Sequence, residues 1–167
     1  MKTIQIVVSL PTTDGKFLAY YSARGLAGLE FPGGNKPNRS SVARAGSLRA
    51  PVHRWHKLTT QALQRELAGK APVKLPPLDL STGTVFQQKV WNALSKIALG
   101  DTRSYAQIAK AIRKPKAVRA VGGACGANPI PVLIPCHRVL ASGGGLGGFG
   151  GGLKWKRLLL AREGVAI

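Results

Sequence analysis

Carboxylates are scarce in this chain. Its 167 residues hold 6 Asp and Glu against 25 Lys and Arg, a formal net charge of +19. Such an imbalance is hard to reconcile with an acidic-protein partner alone, and the excess cation points to a polyanion. Nucleic acid is the simplest one, because Lys and Arg neutralise phosphates and release counterions. A generally basic surface with no specific partner is the bland alternative. Cysteine is scarce too. Cys125 and Cys136 are the only two, with ten residues between them and no CxxC pair. That excludes a disulfide-rich secreted framework. No apolar run is long enough to span a bilayer. Met1 to Leu10 lacks the length and cleavage pattern of a signal peptide and reads as a first strand. A soluble, cytoplasmic protein is expected.

At 44% hydrophobic residues the chain can bury a core, and 167 residues suit one ordinary domain or two small ones. Ile4 to Leu10 and Phe17 to Ser22 are strand-like, joined by the turn-rich Pro11 to Gly15, and Gly25 to Phe31 offers a third strand. Pro32 to Ala50 is polar and reads as a mobile loop. His53 to Leu67 has helical spacing through Trp55, Leu58, Leu63 and Leu67. Three prolines in Ala71 to Leu80 mark an extended run to a boundary near Ser81. The expected domains are therefore 1–81 and 82–167.

The second half has 13 basic residues and two acids, Asp101 and Glu163. Thr84 to Leu99 reads as an amphipathic helix, with Thr84 as its N-cap. Ser104 caps a short helix through Ile112, Pro115 opens a third to about Cys125, and the pair outlines a helix-turn-helix. Eight glycines fill the ten positions from Gly143 to Gly152, and a last helix runs from about Leu153 to Arg162.

One stretch organises the rest: Pro131-Val132-Leu133-Ile134-Pro135-Cys136-His137-Arg138-Val139-Leu140. Its composition reads as a buried strand or extended segment. Burying Cys, His and Arg together needs a reason, since unpaired polar groups are costly inside. Cys136 is either a reactive nucleophile or a buried structural thiol, a common fate for free cysteine. In an extended segment Cys136 and His137 point to opposite sides, so any proton transfer between them needs a bridging water or a kink at Pro135. Glu163 sits at the end of the last helix, where the dipole disfavours a carboxylate. It either orients His137, as in a generalised triad, or pairs with a surface cation.

Pro135-Cys136-His137-Arg138-Val139, preceded by Asn128-Pro129 and by Arg119-Ala120-Val121-Gly122, resembles the O6-alkylguanine-DNA alkyltransferase family. The similarity runs from about Thr84 to Gly164 and includes Phe86, Val90-Trp91, Ser104-Tyr105 and the closing Leu158 to Gly164. It implies an α+β fold: a small N-terminal α/β domain with an antiparallel, ribonuclease H-like sheet, then a mostly helical domain with the helix-turn-helix. It implies direct-reversal DNA repair, in which Cys136 takes the alkyl group from guanine O6 once and irreversibly. His137, through water, would deprotonate Cys136, and Glu163 would support His137. Tyr105 would protonate guanine N3, and Asn128 would brace the active segment. Arg119 would fill the stack vacated by a flipped guanine. Ser104, Tyr105, Ala120, Gly122 and Arg138 would meet DNA, in the minor groove. Val139, Phe149, Gly150, Lys156 and Pro131 would form the substrate pocket. The carbonyls of Cys136 and Val139 would accept from the guanine amino group, and the Gly150 N–H would lie near O6.

Some relatives carry Tyr and Ser where Phe149 and Gly150 stand, which removes a hydroxyl here. Cys125, inside the recognition helix, reads as a small packing residue. The first 81 residues hold no Cys and only His53 and His56, so no structural zinc is expected, and no cofactor. The implied partner is double-stranded DNA containing O6-alkylguanine, bound by a monomer with no obligate protein partner and no membrane. A non-catalytic lesion-binding relative is the alternative, which Cys136 disfavours. A transcription regulator ranks last, for want of a dimerisation or ligand element.

Overall fold

The computed structural model describes residues 5–34 and 41–167. Alternating burial builds the first sheet. Strand β1 (Ile6–Thr12) turns tightly into β2 (Gly15–Tyr21), which buries Phe17, Ala19 and Tyr21 on one face. Strand β3 (Leu26–Glu30) extends the meander on the other side of β2. The fourth strand departs from expectation. Within the segment read as a loop, β4 (Val42–Ala43) pairs in parallel with Val7 and Val8, so the sheet is mixed, in the order β3-β2-β1-β4. Part of that loop, 35–40, lies outside the described residues.

Helix α1 (Val52–Leu67) presents Trp55, Ala62, Leu63 and Leu67 to the core. The proline-rich run then lies along the edge of β3: the Leu26 N–H donates to the Pro77 carbonyl and the Asp79 N–H to the Leu26 carbonyl. This covers backbone groups that an open sheet edge would expose.

The second half begins with α2 (Val85–Leu94). Thr84 and Gln87 form a reciprocal capping box at its start. The helix ends five residues before the expected Leu99, with Ser95 at its C-cap. Strand β5 (Arg103–Ser104) leads into α3 (Tyr105–Ala111), again through a capping box, Ser104 with Gln107. Helix α4 (Val118–Gly126) follows after a turn that includes Pro115, so the proline precedes the helix instead of opening it. Helices α3 and α4 form the expected helix-turn-helix. The Trp91 indole N–H donates 2.8 Å to the Ala124 carbonyl and ties α4 to α2. Strand β6 (Val139–Leu140) pairs in parallel with β5, and α5 (Leu153–Arg162) closes the fold.

One hydrophobic cluster runs from Val8 and Phe17 through Leu63 and Trp91 to Ile134 and Leu159, so the two halves share a core. Aromatic contacts reinforce the seam. Phe31 packs 4.9 Å from Trp155 and 5.7 Å from Phe149, and Phe17 lies 5.6 Å from Trp155, centroid to centroid. Among the described residues no helix is long and apolar enough to cross a membrane.

Candidate active site

The segment before Cys136 is not a strand. Pro131 to Ile134 is a tight turn in which the Ile134 N–H reaches the Ile130 carbonyl at 2.9 Å. Val132 adopts φ 74°, a left-handed conformation unusual for a β-branched residue. Such strain persists only where surrounding contacts over-determine it. Asn128 supplies two of them: its Nδ2 donates to the Ile134 carbonyl at 2.8 Å and its Oδ1 accepts from the Ile130 N–H at 3.0 Å. The Leu29 N–H of β3 donates to the Pro129 carbonyl at 2.9 Å and anchors the turn to the sheet.

Cys136–Arg138 is a single 3-10 turn. This corrects the extended geometry expected from composition: with Pro135 at ψ 64°, the chain kinks before the thiol. Cys136 is 5% exposed and lines two cavities. One, of about 690 Å³, is shared with Tyr105, Arg119, Gly122, Phe149 and Gly150. The other, of about 440 Å³, adds Asn128, Pro131 and Phe31. Burial pushes the Cys136 thiol up, while the Asn128 hydrogen bond and the Lys156 charge pull it down. The net direction is upward, so the resting group is a protonated thiol.

His137 is fully buried, and its Nε2 lies 2.7 Å from Glu163 Oε1. Burial would raise the Glu163 carboxyl, but hydrogen bonds from His137 and Arg138 outweigh it and hold the group at about 2. An ionised Glu163 requires the proton on Nε2, leaving the Nδ1 lone pair free. Nδ1 is the one buried side-chain polar atom without a partner among the described residues. Burial also lowers the His137 pKa, against the pull of Glu163, so the ring is neutral at pH 7.

Tyr105 opens α3 and faces the larger cavity, half-buried. Burial raises its pKa, and the nearby Gly148 backbone pulls it part of the way back. Glycine is needed at 147: φ is +67°, and a Cβ there would stand 2.7 Å from the Tyr105 hydroxyl. Arg119 is exposed at the start of α4, with Ala120 exposed and Gly122 partly so. Ser104 spends its hydroxyl oxygen on the α3 cap.

Three expected roles fail on placement. Arg138 does not face outward to DNA. It is 4% exposed, with Nε 3.0 Å from Glu163 Oε2, Nη1 2.8 Å from the Ile97 carbonyl and Nη2 2.9 Å from Glu66 Oε2. Two carboxylates draw the guanidinium inward, where its fork matches them. Lys156 and Val139 line neither cavity. The Lys156 ammonium is buried behind the wall and donates to the Val139 carbonyl at 2.6 Å and to the Gly148 carbonyl at 3.2 Å. A buried ammonium requires such partners, and it thereby occupies the Val139 carbonyl and fastens the glycine loop. Glu66, which sequence reasoning missed, joins the site through Arg138. Its position on the buried stripe of α1, one residue before Leu67, was the available signal. No group of three or more His, Cys, Asp or Glu able to hold a metal occurs among the described residues. His56 Nδ1 is already engaged by the Tyr21 hydroxyl at 2.9 Å.

A buried thiol lining two cavities, an imidazole–carboxylate pair next to it in the chain and a helix-turn-helix at the rim are features shared with DNA-binding proteins built around one cysteine. Residues 85–165 match the 6-O-methylguanine DNA methyltransferase, DNA binding domain. The chain is 44% identical over 152 residues to the inducible methylated-DNA–protein-cysteine methyltransferase of Bacillus subtilis, covering 86% of this chain and 83% of that one. It is 44% identical over 126 residues to the Haemophilus influenzae methylated-DNA–protein-cysteine methyltransferase, covering 68% of each. The crystal structure of Mycobacterium tuberculosis OGT in complex with DNA superposes with a TM-score of 0.76 at 35% identity, covering 94% of this chain and 91% of that one. The chain belongs to the O6-methylguanine DNA methyltransferase family, which carries out direct-reversal DNA repair by moving an alkyl group onto a protein cysteine.

Proposed function

We propose that Cys136 is the alkyl acceptor and that the substrate is O6-alkylguanine flipped out of double-stranded DNA. The observation that carries this reading is the pairing of a buried Cys136 with a His137 whose Nδ1 lone pair is free and whose Nε2 is held by Glu163. The thiol proton passes through a bridging water to Nδ1, and the ionised Glu163 stabilises the imidazolium that forms. The sulfur attacks the alkyl carbon in line. The carbon–O6 bond breaks, and its electron pair stays on the guanine. Tyr105, on the same cavity as Cys136, donates its proton to guanine N3 and makes the base a better leaving group. The product thioether has no route back, so each molecule acts once and needs no cofactor.

A stacked guanine presents O6 to the major groove and out of line with any buried nucleophile, so the base must leave the duplex. Arg119, exposed beside the cavity mouth, fills the gap it leaves. Helix α4 with Ala120 and Gly122 offers a small-residue surface for the minor groove, and phosphate contacts from the basic surface serve without regard to sequence. The Gly150 N–H faces O6. We place this chemistry in residues 82–167, with residues 1–81 closing the site from behind, and read the working unit as a monomer.

Intact mass spectrometry after incubation with a duplex carrying O6-methylguanine tests the reading. One methyl is gained on Cys136, and Cys136→Ala gains none while still binding the duplex. Tight lesion binding by the unmodified protein without any mass gain would overturn it in favour of a lesion-recognition role.

A further inference from the structure

Glu66 stands on α1, in the first half of the chain, yet its carboxylate points into the second. It is 4% exposed, and the one hydrogen-bond partner of its carboxylate among the described residues is Arg138 Nη2, at 2.9 Å. The same nitrogen donates 2.9 Å to Glu163 Oε1, while Nε contacts both oxygens of Glu163. A single guanidinium is thus shared by two buried carboxylates, and the second of them holds His137. We propose that Glu66 is a positioning residue for alkyl transfer: by holding Arg138 it fixes Glu163 against His137 and sets how readily the imidazole takes the thiol proton.

This rests on Cys136 being the acceptor. The guanidinium is planar and its donors are fixed in a fork, so where Nη2 is tethered decides where Nε meets Glu163. Glu66 faces Arg138, Glu163 stands beyond it, and Lys156 and Arg138 face His137. Burial lifts the Glu66 carboxyl to about 7, against the pull of Arg138. The ionic tether therefore forms as pH rises through neutrality, whereas Glu163 stays ionised throughout. A carboxylate with no part in the reaction would brace the fold with the same strength whatever the state of His137.

Glu66→Gln keeps the shape and an acceptor oxygen but fixes the group neutral. The test measures the rate of Cys136 alkylation by free O6-benzylguanine, read by intact mass, in the unmodified protein and in E66Q. The expected ratio of the two rates is about ten at pH near 8.5, the equivalent of one pKa unit, and falls toward unity by about pH 5.5, where Glu66 is itself protonated. Taking the ratio cancels titrations common to both proteins. A ratio of one at every pH, or one constant with pH, overturns the proposal, since a role confined to stability would move the unfolding midpoint with the protonation of Glu66 but not the rate of the folded protein. Should E66Q fail to fold, the pH dependence of the His137 ring resonances in the unmodified protein decides instead. In the unmodified protein the ring resonances of His137 shift through the same interval, and a flat signal there also overturns the proposal. Absence of alkylation in the unmodified protein would instead remove the reading of Cys136 on which this one stands.

Discussion

Replacing Glu66 by Gln makes a second, independent prediction about stability, with a sign that changes with pH. The Glu66 carboxyl titrates at about 7 in the fold, against about 4.3 in an unfolded chain. Its folded value is the higher one, so the fold favours the neutral acid. That contribution is intact below about pH 4.3 and is lost as pH rises through about 7. The difference of roughly 2.7 units corresponds to about 4 kcal/mol of destabilisation in the unmodified protein above pH 8. Gln removes that burden but buries an amide N–H₂ beside Arg138 without an evident acceptor, which costs about 1 kcal/mol. E66Q is then about 3 kcal/mol more stable near pH 8.5, roughly 6–12 °C in Tm for a chain of this size. Near pH 4.5 it is about 1 kcal/mol less stable. Glu163 moves the other way. Held at about 2, it adds stability present above about pH 4.3 and lost as pH falls through about 2. It is common to both proteins and drops out of the comparison. Urea titrations followed by tryptophan fluorescence at the two pH values check this through the shift in midpoint at constant slope. A stability difference equal at the two pH values would refute the reasoning, because it would mean that Glu66 is ionised throughout. With the rate measurement above, the expectation is a variant that is sturdier and slower, as expected where a site retains strain for function.

Two further perturbations probe the cavity. Gly147→Ala forces a methyl to within 2.7 Å of the Tyr105 hydroxyl from a backbone at φ +67°. It should slow alkyl transfer in the same direction as Tyr105→Phe, by about tenfold or more for a misplaced proton donor, with the far-ultraviolet circular dichroism unchanged. An unchanged rate would remove Tyr105 from the proton path. Arg119→Ala should slow transfer from duplex DNA at least tenfold more than transfer from free O6-benzylguanine, since only the duplex requires an extruded base. Equal losses on both substrates, measured by stopped reactions and mass, would count against its role in the stack.

Much of the fold was legible in local signals. Thr84 and Ser104 each sit three residues before a glutamine, and both form capping boxes at the starts of α2 and α3. Apolar periodicity placed α1 and α5 to within a residue. The errors came where tertiary contacts override composition. The apolar run before Cys136 has strand composition, but Asn128 clamps it into a turn and Val132 takes a left-handed conformation. Val42–Ala43 is too short and polar a neighbourhood to announce a strand, and it forms one because β1 has a free edge. At the site, motif order singled out Cys136, His137, Glu163 and Tyr105; the fold pairs His137 with Glu163 and sets Cys136 and Tyr105 on one cavity. Motif order misread Arg138, because nothing local says that a guanidinium will turn inward. The partner that decides this, Glu66, is 72 residues away in sequence.

The seam between the halves also bears on how the protein matures. Glu66 meets Arg138 across 72 residues, and Asp14 holds Arg162 across 148. Such pairings close long loops, and chains dominated by them fold more slowly than those built on local contacts. The turn carrying Cys136 depends on Leu29 of the first sheet and the glycine loop packs on Phe31, so neither is in place until both halves have docked. A nascent or severed second half would keep His137 and Glu163 but lack the Leu29, Phe31 and Glu66 contacts that fix the turn, the glycine loop and Arg138. The geometry around Cys136 is therefore completed only when the two halves meet.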